Sequence, residues 1–257
     1  MVYITGDCHG DWSRFSSKSF PEQKDMLADD KDKSIVIVCG DFGIWHDNKE
    51  ERYWLDWLSN KPFTVCFVDG NHENFDRLYS EEFETVDFHG GQAHKIRDNI
   101  FHLMRGHVFN FEGKSFFAFG GASSHDIDDG ILDKDDFDNK KEFVQTYRKW
   151  DKENKMFRVN HVSWWKQELP TQEEMDFGIE TLVKNDNEVD YIVSHCCPQE
   201  VASIFSMGCY KTDVLTTYFD TIARDNKFTK WFFGHYHDNQ QIRGKFIMLY
   251  EQIIRII

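Results

Sequence analysis

Short polar clusters directly follow the apolar runs of this chain, and their positions constrain its fold more than any other feature of the sequence. There are five of them: Gly6-Asp7-Cys8-His9-Gly10, Gly40-Asp41, Gly70-Asn71-His72-Glu73, Ser194-His195 and Gly234-His235-Tyr236-His237. Each apolar run predicts a buried strand, and the ligands of open α/β sheets bind beyond the carboxyl ends of the strands. The fold must therefore bring five distant segments to one place.

The side chains of these clusters predict a site for two metal ions. They offer two carboxylates, one amide and four imidazoles as ligands: Asp7, His9, Asp41, Asn71, His195, His235 and His237. Asp41 follows a central strand and is the natural bridge between two cations. We expect two ligand sets that share this bridge: Asp7, His9, Asp41 and His237 for one ion, and Asp41, Asn71, His195 and His235 for the other.

The ligand types restrict which metals such a site can hold. Imidazole combined with carboxylate and amide suits Mn²⁺, Fe²⁺ or Fe³⁺, Zn²⁺ and Ni²⁺ better than Ca²⁺, and the set contains no thiolate that would select zinc. We expect two divalent or trivalent transition-metal ions, with manganese favoured, and the sequence leaves their identity open.

Apolar runs alternate with helical patterns along the chain, which is typical of an α/β fold. The runs predict strands over residues 2–5, 35–39, 63–68, 116–119, 191–193, 231–233 and 246–250. Apolar spacings of three and four predict helices over residues 50–58, 173–183 and 214–223. Three short runs, at 100–103, 107–111 and 115–119, predict a β-meander. The sequence therefore predicts an α/β sandwich.

A long polar stretch interrupts this alternation. Residues 123–155 are rich in Asp and Lys, and an aromatic segment follows at 161–165. The stretch contains too few apolar residues for a core of its own, so we do not expect a second domain. We expect residues 1–257 to form a single domain with a lid-like insertion around residues 121–170.

Charge and cysteine content limit the classes of partner. The formal net charge of −15 disfavours a protein that holds nucleic acid through a basic surface, although bound cations would still attract phosphate locally. No apolar stretch reaches the roughly 18 residues that suggest a membrane span, and no basic, apolar leader precedes the first strand. The six cysteines form no CxxC pair, so we expect reduced thiols in a cytoplasmic protein.

Taken in order, the five clusters resemble the pattern DxH, GD, GNH[ED], H and GHxH of the calcineurin-like metallophosphoesterase family. The resemblance extends from Gly6 to His237. It implies a four-layer αββα sandwich of two mixed sheets with flanking helices, and a dinuclear centre that activates water for in-line attack on phosphorus. It also implies that His72 protonates the leaving oxygen, a task that suits an imidazole near neutral pH.

The second cluster departs from the pattern of the serine/threonine protein phosphatases of that family, which carry GDxxDRG. Here the stretch is Gly40-Asp41-Phe42-Gly43-Ile44-Trp45, so the Asp that would orient the catalytic histidine and the Arg that would grip phosphate are both missing. The departure disfavours a protein phosphatase. Position along the chain makes Asp69 and Glu73 the candidate partners of His72.

Two further segments resemble a GGAxS and WWxxE pair that is seen in some bacterial and phage members. They are Gly120-Gly121-Ala122-Ser123-Ser124 and Trp164-Trp165-Lys166-Gln167-Glu168. With the adjoining residues they provide candidates for substrate contact: His125, Asp126, Trp164, Trp165 and, after the third cluster, Arg77. An ordinary turn, packing within the insertion and a solvated helix face are the structural alternatives for these residues.

The sequence thus predicts a metal-dependent phosphoesterase that hydrolyses a phosphomonoester or phosphodiester of a small phosphorylated molecule or nucleotide. A nuclease is one alternative, although it would need a positively charged groove, which the sequence of this acidic chain does not indicate. A protein-binding scaffold on the same fold, like the retromer subunit, is another. Such scaffolds usually lose metal ligands, whereas this chain retains the full set together with His72.

Overall fold

Apolar strands that are buried on both faces form the centre of the molecule. The structure, a computed structural model that describes residues 1–257, contains fifteen strands. In chain order they are β1 Val2–Thr5, β2 Ile35–Val38, β3 Thr64–Phe67, β4 Glu84–Phe88, β5 Gly91–Arg97, β6 Ile100–Leu103, β7 His107–Phe111, β8 Lys114–Phe119, β9 Gly130–Leu132, β10 Phe157–Val159, β11 Tyr191–Ser194, β12 Lys230–Phe233, β13 Gln240–Ile242, β14 Phe246–Met248 and β15 Ile253–Arg255.

These strands form two large mixed sheets and one small sheet. The first sheet has seven strands in the order β15-β1-β2-β3-β6-β5-β4, and the second has six in the order β13-β14-β12-β11-β8-β7. In the first sheet β1, β2, β3 and β6 are parallel neighbours. In the second sheet β8, β11, β12 and β14 are parallel neighbours. Parallel strands place their carboxyl ends at the same edge, which is where the polar clusters follow.

Alternation along the strands explains how the two sheets pack. In β1, Val2 and Ile4 belong to a buried cluster shared with the second sheet, whereas Tyr3 belongs to the cluster on the opposite face. Each strand contributes to two cores because successive side chains point to opposite faces. The core between the sheets joins apolar side chains of both: Ile35, Ile37, Cys66, Phe101, Phe109, Phe116, Val193 and Phe232.

Helices cover the outer faces of both sheets. The six are α1 Lys49–Ser59, α2 Phe75–Leu78, α3 Lys140–Lys152, α4 Gln172–Lys184, α5 Gln199–Ser206 and α6 Val214–Asp225. α1 buries Leu55 and Leu58 against the first sheet, and α4 and α6 bury Leu182 and Phe219 against the second. The expected four-layer αββα sandwich is therefore confirmed.

The local sequence explains where the main helices begin. Thr171 and Glu174 form a capping box at the start of α4, and Asp213 and Thr216 form another at the start of α6. Each box supplies partners for backbone N–H groups that a helix leaves free at its first turn. The predicted helices at 50–58, 173–183 and 214–223 are confirmed as α1, α4 and α6, within two residues at each end. Five short 3₁₀ helices also occur: Ser13–Phe15, Pro21–Asp25, Lys31–Lys33, Lys134–Asp136 and Lys166–Glu168.

The predicted β-meander is wrong. β6 pairs with β3 and β5 in the first sheet, whereas β7 and β8 form a hairpin in the second. The chain crosses from one sheet to the other at Arg105 and Gly106; Arg105 is buried, and Gly106 has a φ of 80° and lies against Gly178 of α4. The sequence analysis also missed the hairpin of β4 and β5, because most side chains of β4 are exposed and the run lacks an apolar pattern.

The segment between β8 and α4 adds a small layer of its own. β9 and β10 form a two-stranded parallel sheet, and α3 lies between them in the chain. α3 contains no buried residue, which fits the polar composition of this stretch. None of the helices has the length and apolar character that a bilayer-crossing segment requires.

A buried ionic network joins the end of β3 to α4. Asp69 accepts a hydrogen bond from Arg105 Nε at 3.0 Å, and its other oxygen lies 3.1 Å from His102 Nε2. Arg105 also contacts Glu174 at 3.3 Å and donates to the carbonyl of Gln167 at 2.7 Å. Burial alone would raise the pKa of Asp69, but the Arg105 guanidinium and His102 outweigh burial and lower it. The carboxylate is therefore held ionised in the interior.

We expect Arg105→Met to lower the free energy of unfolding by about 3–5 kcal/mol, because the substitution leaves the Asp69 carboxylate buried without its cation. Urea unfolding measures this difference. Arg148→Met, on the exposed face of α3, is the matched control and should stay within about 0.5 kcal/mol of the parent. A loss below about 1 kcal/mol for Arg105→Met would show that the network contributes little.

Candidate metal centre

The predicted ligands follow the carboxyl ends of five strands. Asp7, Asp41 and Asn71 follow the parallel neighbours β1, β2 and β3 of the first sheet. His195 follows β11, and His235 follows the adjacent β12 in the second sheet. The structure thus brings residues that are more than 200 positions apart to one place where the two sheets meet.

Several of the predicted ligands have an unusual backbone conformation. His9, Asp41, His235 and His237 have φ angles of 48°, 46°, 68° and 52°. Positive φ is uncommon outside glycine, and strained backbone of this kind tends to occur at functional sites. The strain at four of the seven predicted ligands therefore supports a functional role for these loops.

Two motif glycines make room for the ligand carboxylates. A Cβ atom at Gly70 would lie 2.0 Å from Asp41 Oδ1, and a Cβ atom at Gly234 would lie 2.0 Å from Asp7 Oδ1. Any larger residue would therefore displace a carboxylate. Asp7 also accepts hydrogen bonds from the backbone N–H of His235, at 2.9 and 3.0 Å. These bonds hold the first and the fifth polar cluster in position relative to each other.

The first ligand set lies close together. The Nε2 atoms of His9 and His237 are 2.9 Å apart, and His237 Nε2 is 3.2 Å from Asp7 Oδ2. His9 Nε2 lies 3.6 Å from Asp41 Oδ2. Asp7, His9 and His237 thus offer ligand atoms within 4.8 Å of one another, and Asp41 lies beside His9.

The second ligand set lies on the other side of Asp41. His195 Nε2 is 3.3 Å from Asp41 Oδ1 and 3.2 Å from Asn71 Oδ1, and the ring centroid of His235 is 4.9 Å from that of His195. His195 Nδ1 lies 2.7 Å from the carbonyl of Cys39, a contact that directs Nε2 at the other ligands. One oxygen of Asp41 therefore faces each set.

The electrostatics of the cluster favour bound cations. Asp7 and Asp41 are 0 % and 1 % exposed, and buried carboxylates need positive charge nearby. Burial by itself lowers the pKa of His195, but Asp41 and Asp7 outweigh burial and raise it to about 10. Burial lowers the pKa of His235, which keeps that ring in the neutral form that binds metals. The donor set and its negative charge therefore fit metal ions.

The predicted catalytic residue His72 lies at the mouth of this cluster. Its ring centroid is 5.0 Å from that of His9, and its backbone N–H donates to Asp41 Oδ1 at 2.8 Å. The ring is also near enough to His9 and Asp41 to complete a metal-binding group with them. Burial and then the guanidinium of Arg158 lower the pKa of His72 to about 4 against the opposing effect of Asp41. The free ring is therefore neutral at neutral pH.

The two carboxylates expected beside His72 lie elsewhere. Glu73 accepts hydrogen bonds from the backbone N–H groups of Phe42 and Ile44 at 2.6 and 2.9 Å, and Asp69 belongs to the buried network with Arg105. The expectation that Asp69 or Glu73 is the partner of His72 is therefore wrong. The polar side chain beside the ring is Arg158, whose Nη2 lies 3.3 Å from His72 Nε2.

Of the five candidates for substrate contact, two lie near the centre. The ring centroid of His125 is 4.5 Å from that of His235, and Asp126 forms an ion pair with Arg158. Their role in substrate contact stays a prediction.

The other three candidates make contacts farther out. Arg77 pairs with Glu51 and Glu82. Trp165 is 1 % exposed and donates from Nε1 to Asp76, while Trp164 lines a separate cavity beyond the centre. The structure brings none of these three against the metal cluster, and their substrate role likewise stays a prediction.

Ser124 and Glu168 form a hydrogen-bonded support for Asn71, one of the predicted ligands. Asn71 Nδ2 donates to Ser124 Oγ at 3.3 Å, which turns the amide oxygen toward His195. Ser124 Oγ donates to Glu168 at 3.0 Å, and its backbone N–H donates to the same carboxyl group at 3.1 Å. The last residues of the GGAxS and WWxxE segments therefore meet behind the metal centre.

Sequence reasoning noted these two segments but did not assign this contact, and it missed Arg158 entirely. Arg158 lies 86 positions from His72, in the three-residue strand β10 and outside every motif, so no local pattern marks it.

Burial raises the pKa of Glu168 to about 8. Because the pKa is higher in the folded state than in the unfolded state, the stability that protonation contributes is complete below about pH 4.5 and is lost as pH rises toward 8. When both proteins are free of metal, the parent should therefore lose stability between pH 5 and pH 8 while Glu168→Gln does not. The difference in the free energy of unfolding should grow in favour of the variant by on the order of 3 kcal/mol.

Urea unfolding across this pH range measures that gain. Glu180→Gln on α4 is the exposed control, and its curve should run parallel to that of the parent. A constant difference between Glu168→Gln and the parent would contradict the raised pKa.

Comparisons with known proteins identify the family of this chain. Residues 1–239 match the sequence profile of the calcineurin-like phosphoesterases. No curated protein matches the chain in sequence. Among solved structures, the phosphopantetheinyl hydrolase of Mycobacterium tuberculosis is similar over 97% of this chain and 89% of that chain, with 16% identity and a TM-score of 0.38. On the family match, which covers most of its length, the chain belongs to the calcineurin-like phosphoesterase family of metal-dependent phosphoesterases.

Proposed function

We propose that this protein uses two metal ions to hydrolyse a phosphomonoester or phosphodiester bond of a small phosphorylated molecule or nucleotide. The observation that carries the proposal is the position of Asp41. Its Oδ1 faces His195 and its Oδ2 faces His9, so a single buried carboxylate can serve two cations. A shared carboxylate between two imidazole-rich sets is the arrangement that a dinuclear hydrolytic centre needs.

The residues of the two sets would hold the ions as the sequence analysis divides them, with manganese favoured. Bound metal ions would supply an activated water and stabilise the charge that develops on the phosphate. Asn71 would be kept in its ligand orientation by Ser124, and His195 by the Cys39 carbonyl.

His72 would transfer a proton to the leaving oxygen. The free ring has a pKa near 4, but the negative charge of a bound phosphate raises the pKa of a neighbouring imidazole. Proton uptake by His72 would therefore accompany substrate binding. A substrate with a basic leaving group depends on this proton, whereas one with an acidic leaving group does not.

The surroundings of the centre support a small substrate. A cavity of about 400 Å³ adjoins His9 and His72 and is lined by Trp45, Trp54 and Glu50 among others. Aromatic side chains in the cavity wall suit an organic group or a nucleobase. The negative charge of Glu50 disfavours binding of a long phosphate backbone there. We propose that the insertion at 121–170 acts as a lid over the centre, within a single domain, because its Arg158 reaches His72.

A nuclease is less well supported. The chain is acidic overall, and binding of single strands that weakened steeply with salt would be the sign of such an activity. A non-catalytic scaffold is disfavoured because Asp7, His9, Asp41, His195 and His237 lie in overlapping groups that could hold a metal ion, and His72 belongs to one of these groups.

Free cysteines support a reducing compartment, and we propose a cytoplasmic location. All six cysteines are free, and five of them are buried. Disulfides are rare in the cytoplasm, so unpaired thiols are expected there. The proposal names no protein partner and no oligomeric state.

The first test compares p-nitrophenyl phosphate with bis-p-nitrophenyl phosphate, using chelator-stripped protein reloaded with Mn²⁺, Ni²⁺, Zn²⁺ or Mg²⁺. We expect metal-restored turnover by the parent and about two ions per chain.

Asp41→Asn should lose most bound metal and nearly all turnover, because both ions lose their shared ligand. Asp98→Asn, at a side chain that is 96% exposed, should behave like the parent. Full metal content and activity in Asp41→Asn would contradict the shared site, and two bound ions without turnover of either substrate would favour the scaffold.

His72→Asn should keep its metal content but lose about 10²- to 10⁴-fold in kcat on an alkyl phosphoester, since that leaving group needs a proton. The loss on a p-nitrophenyl ester should be clearly smaller. Steady-state kinetics on both substrates, with metal analysis, measure the contrast. His89→Asn, which lies outside every cluster, is the control. Equal losses on the two esters would rule out proton transfer by His72.

A further inference from the structure

We propose that Arg158, on β10 of the insertion, binds the phosphate group of the substrate next to His72 and that Asp126 holds its guanidinium in position. The inference rests on the proposed function, because it requires a phosphate at the metal centre. It assigns to the insertion a direct part in substrate binding.

The position of the guanidinium carries the proposal. Arg158 Nη2 lies 3.3 Å from His72 Nε2, and the side chain is only 11% exposed. His72 in turn lies beside His9 and Asp41 of the ligand cluster. A phosphate that reaches both the metal ligands and His72 must therefore come within reach of this guanidinium.

The guanidinium keeps one N–H group without a contact and a second that contacts only His72. Asp126 accepts from Nε at 2.6 Å and from Nη2 at 3.0 Å, and the Ser163 carbonyl accepts from Nη1 at 2.9 Å. A guanidinium carries five N–H groups, so one N–H remains on each terminal nitrogen. The remaining Nη2–H is the one directed at His72. Two N–H groups are the number that arginine uses for bidentate contact with phosphate.

Other arginines near the centre are committed to different partners. Arg77 pairs with Glu51 and Glu82, and Arg105 pairs with the buried Asp69. Arg14 donates to the backbone carbonyls of Gly6 and Tyr250. Arg158 is therefore the arginine placed to meet an incoming anion beside His72.

Asp126 acts as a positioning residue. It contacts Arg158 through both of its oxygens, and it is half exposed whereas Arg158 is nearly buried. Such a two-point contact fixes the plane of the guanidinium and limits its rotamers before substrate binds, which reduces the entropy lost on binding.

The test measures binding of inorganic phosphate to the manganese-loaded protein, by calorimetry and by inhibition of ester hydrolysis. Arg158→Ala should keep both metal ions and weaken phosphate binding by roughly 10- to 100-fold, the usual effect of losing hydrogen bonds to a charged group. Arg158→Lys should fall between, because an ammonium offers charge without the planar pair of donors. Arg148→Ala on the exposed face of α3 should leave phosphate affinity unchanged.

Chemical rescue separates substrate binding from a structural role. Added guanidinium ion should partly restore phosphate affinity and turnover to Arg158→Ala and should do nothing for the parent. Asp126→Asn should raise KM more than it lowers kcat, since the guanidinium stays but is less well fixed. If Arg158→Ala does not fold, the same comparison is made with Arg158→Lys, which retains a cation beside Asp126.

Unchanged phosphate affinity in both Arg158 variants, at unchanged metal content, would overturn the proposal while leaving the phosphoesterase intact. So would a loss that guanidinium fails to rescue and that accompanies a fall in melting temperature, because Arg158 would then only stabilise the insertion. A parent protein that neither binds phosphate nor hydrolyses any ester would instead defeat the proposed function itself.

Discussion

Two carboxylates buried where the sheets meet are the constraint on which the rest of the site depends. Asp7 and Asp41 are almost inaccessible to solvent, and a charged group in such a place is stable only with opposite charge around it. His195 supplies part of that charge, because the two carboxylates raise its pKa, whereas burial keeps His235 neutral. The glycines, the left-handed loops and the supporting hydrogen bonds can all be understood as means of packing donors around these two groups.

Much of this arrangement could be predicted from the sequence. The strands that precede Asp7 and Asp41 are mostly apolar and buried throughout, and the residues after them carry ligand chemistry, so both the sheet and the site edge follow from local patterns. The assignment of β6 and β7 to one meander failed for a physical reason. Which sheet a short strand joins depends on the crossing at Arg105, and its buried partner Asp69 is 36 positions away.

The surroundings of the ligands were harder to predict than the ligands themselves. Glu73 follows His72 directly, yet its carboxylate accepts hydrogen bonds from the backbone of the Asp41 loop. Arg158 lies between Phe157 and Val159 in a strand of only three residues, which is too short to predict, and the pairing of β9 with β10 fixes this strand in the insertion near His72. Contacts that depend on such long-range placement leave no signature in local residue spacing.

The core between the sheets also has a consequence for the chemistry. Asp7, Asp41 and Asn71 follow strands of one sheet, whereas His195 and His235 follow strands of the other. The apolar layer between the sheets, which includes Phe109, Phe116 and Phe232, therefore separates the two groups of predicted ligands. Protein interiors are close-packed and compress little. The distance between these two groups of residues therefore depends on the thickness of the apolar layer. A change of ring size within that layer would move the predicted ligands relative to one another without replacing a donor atom.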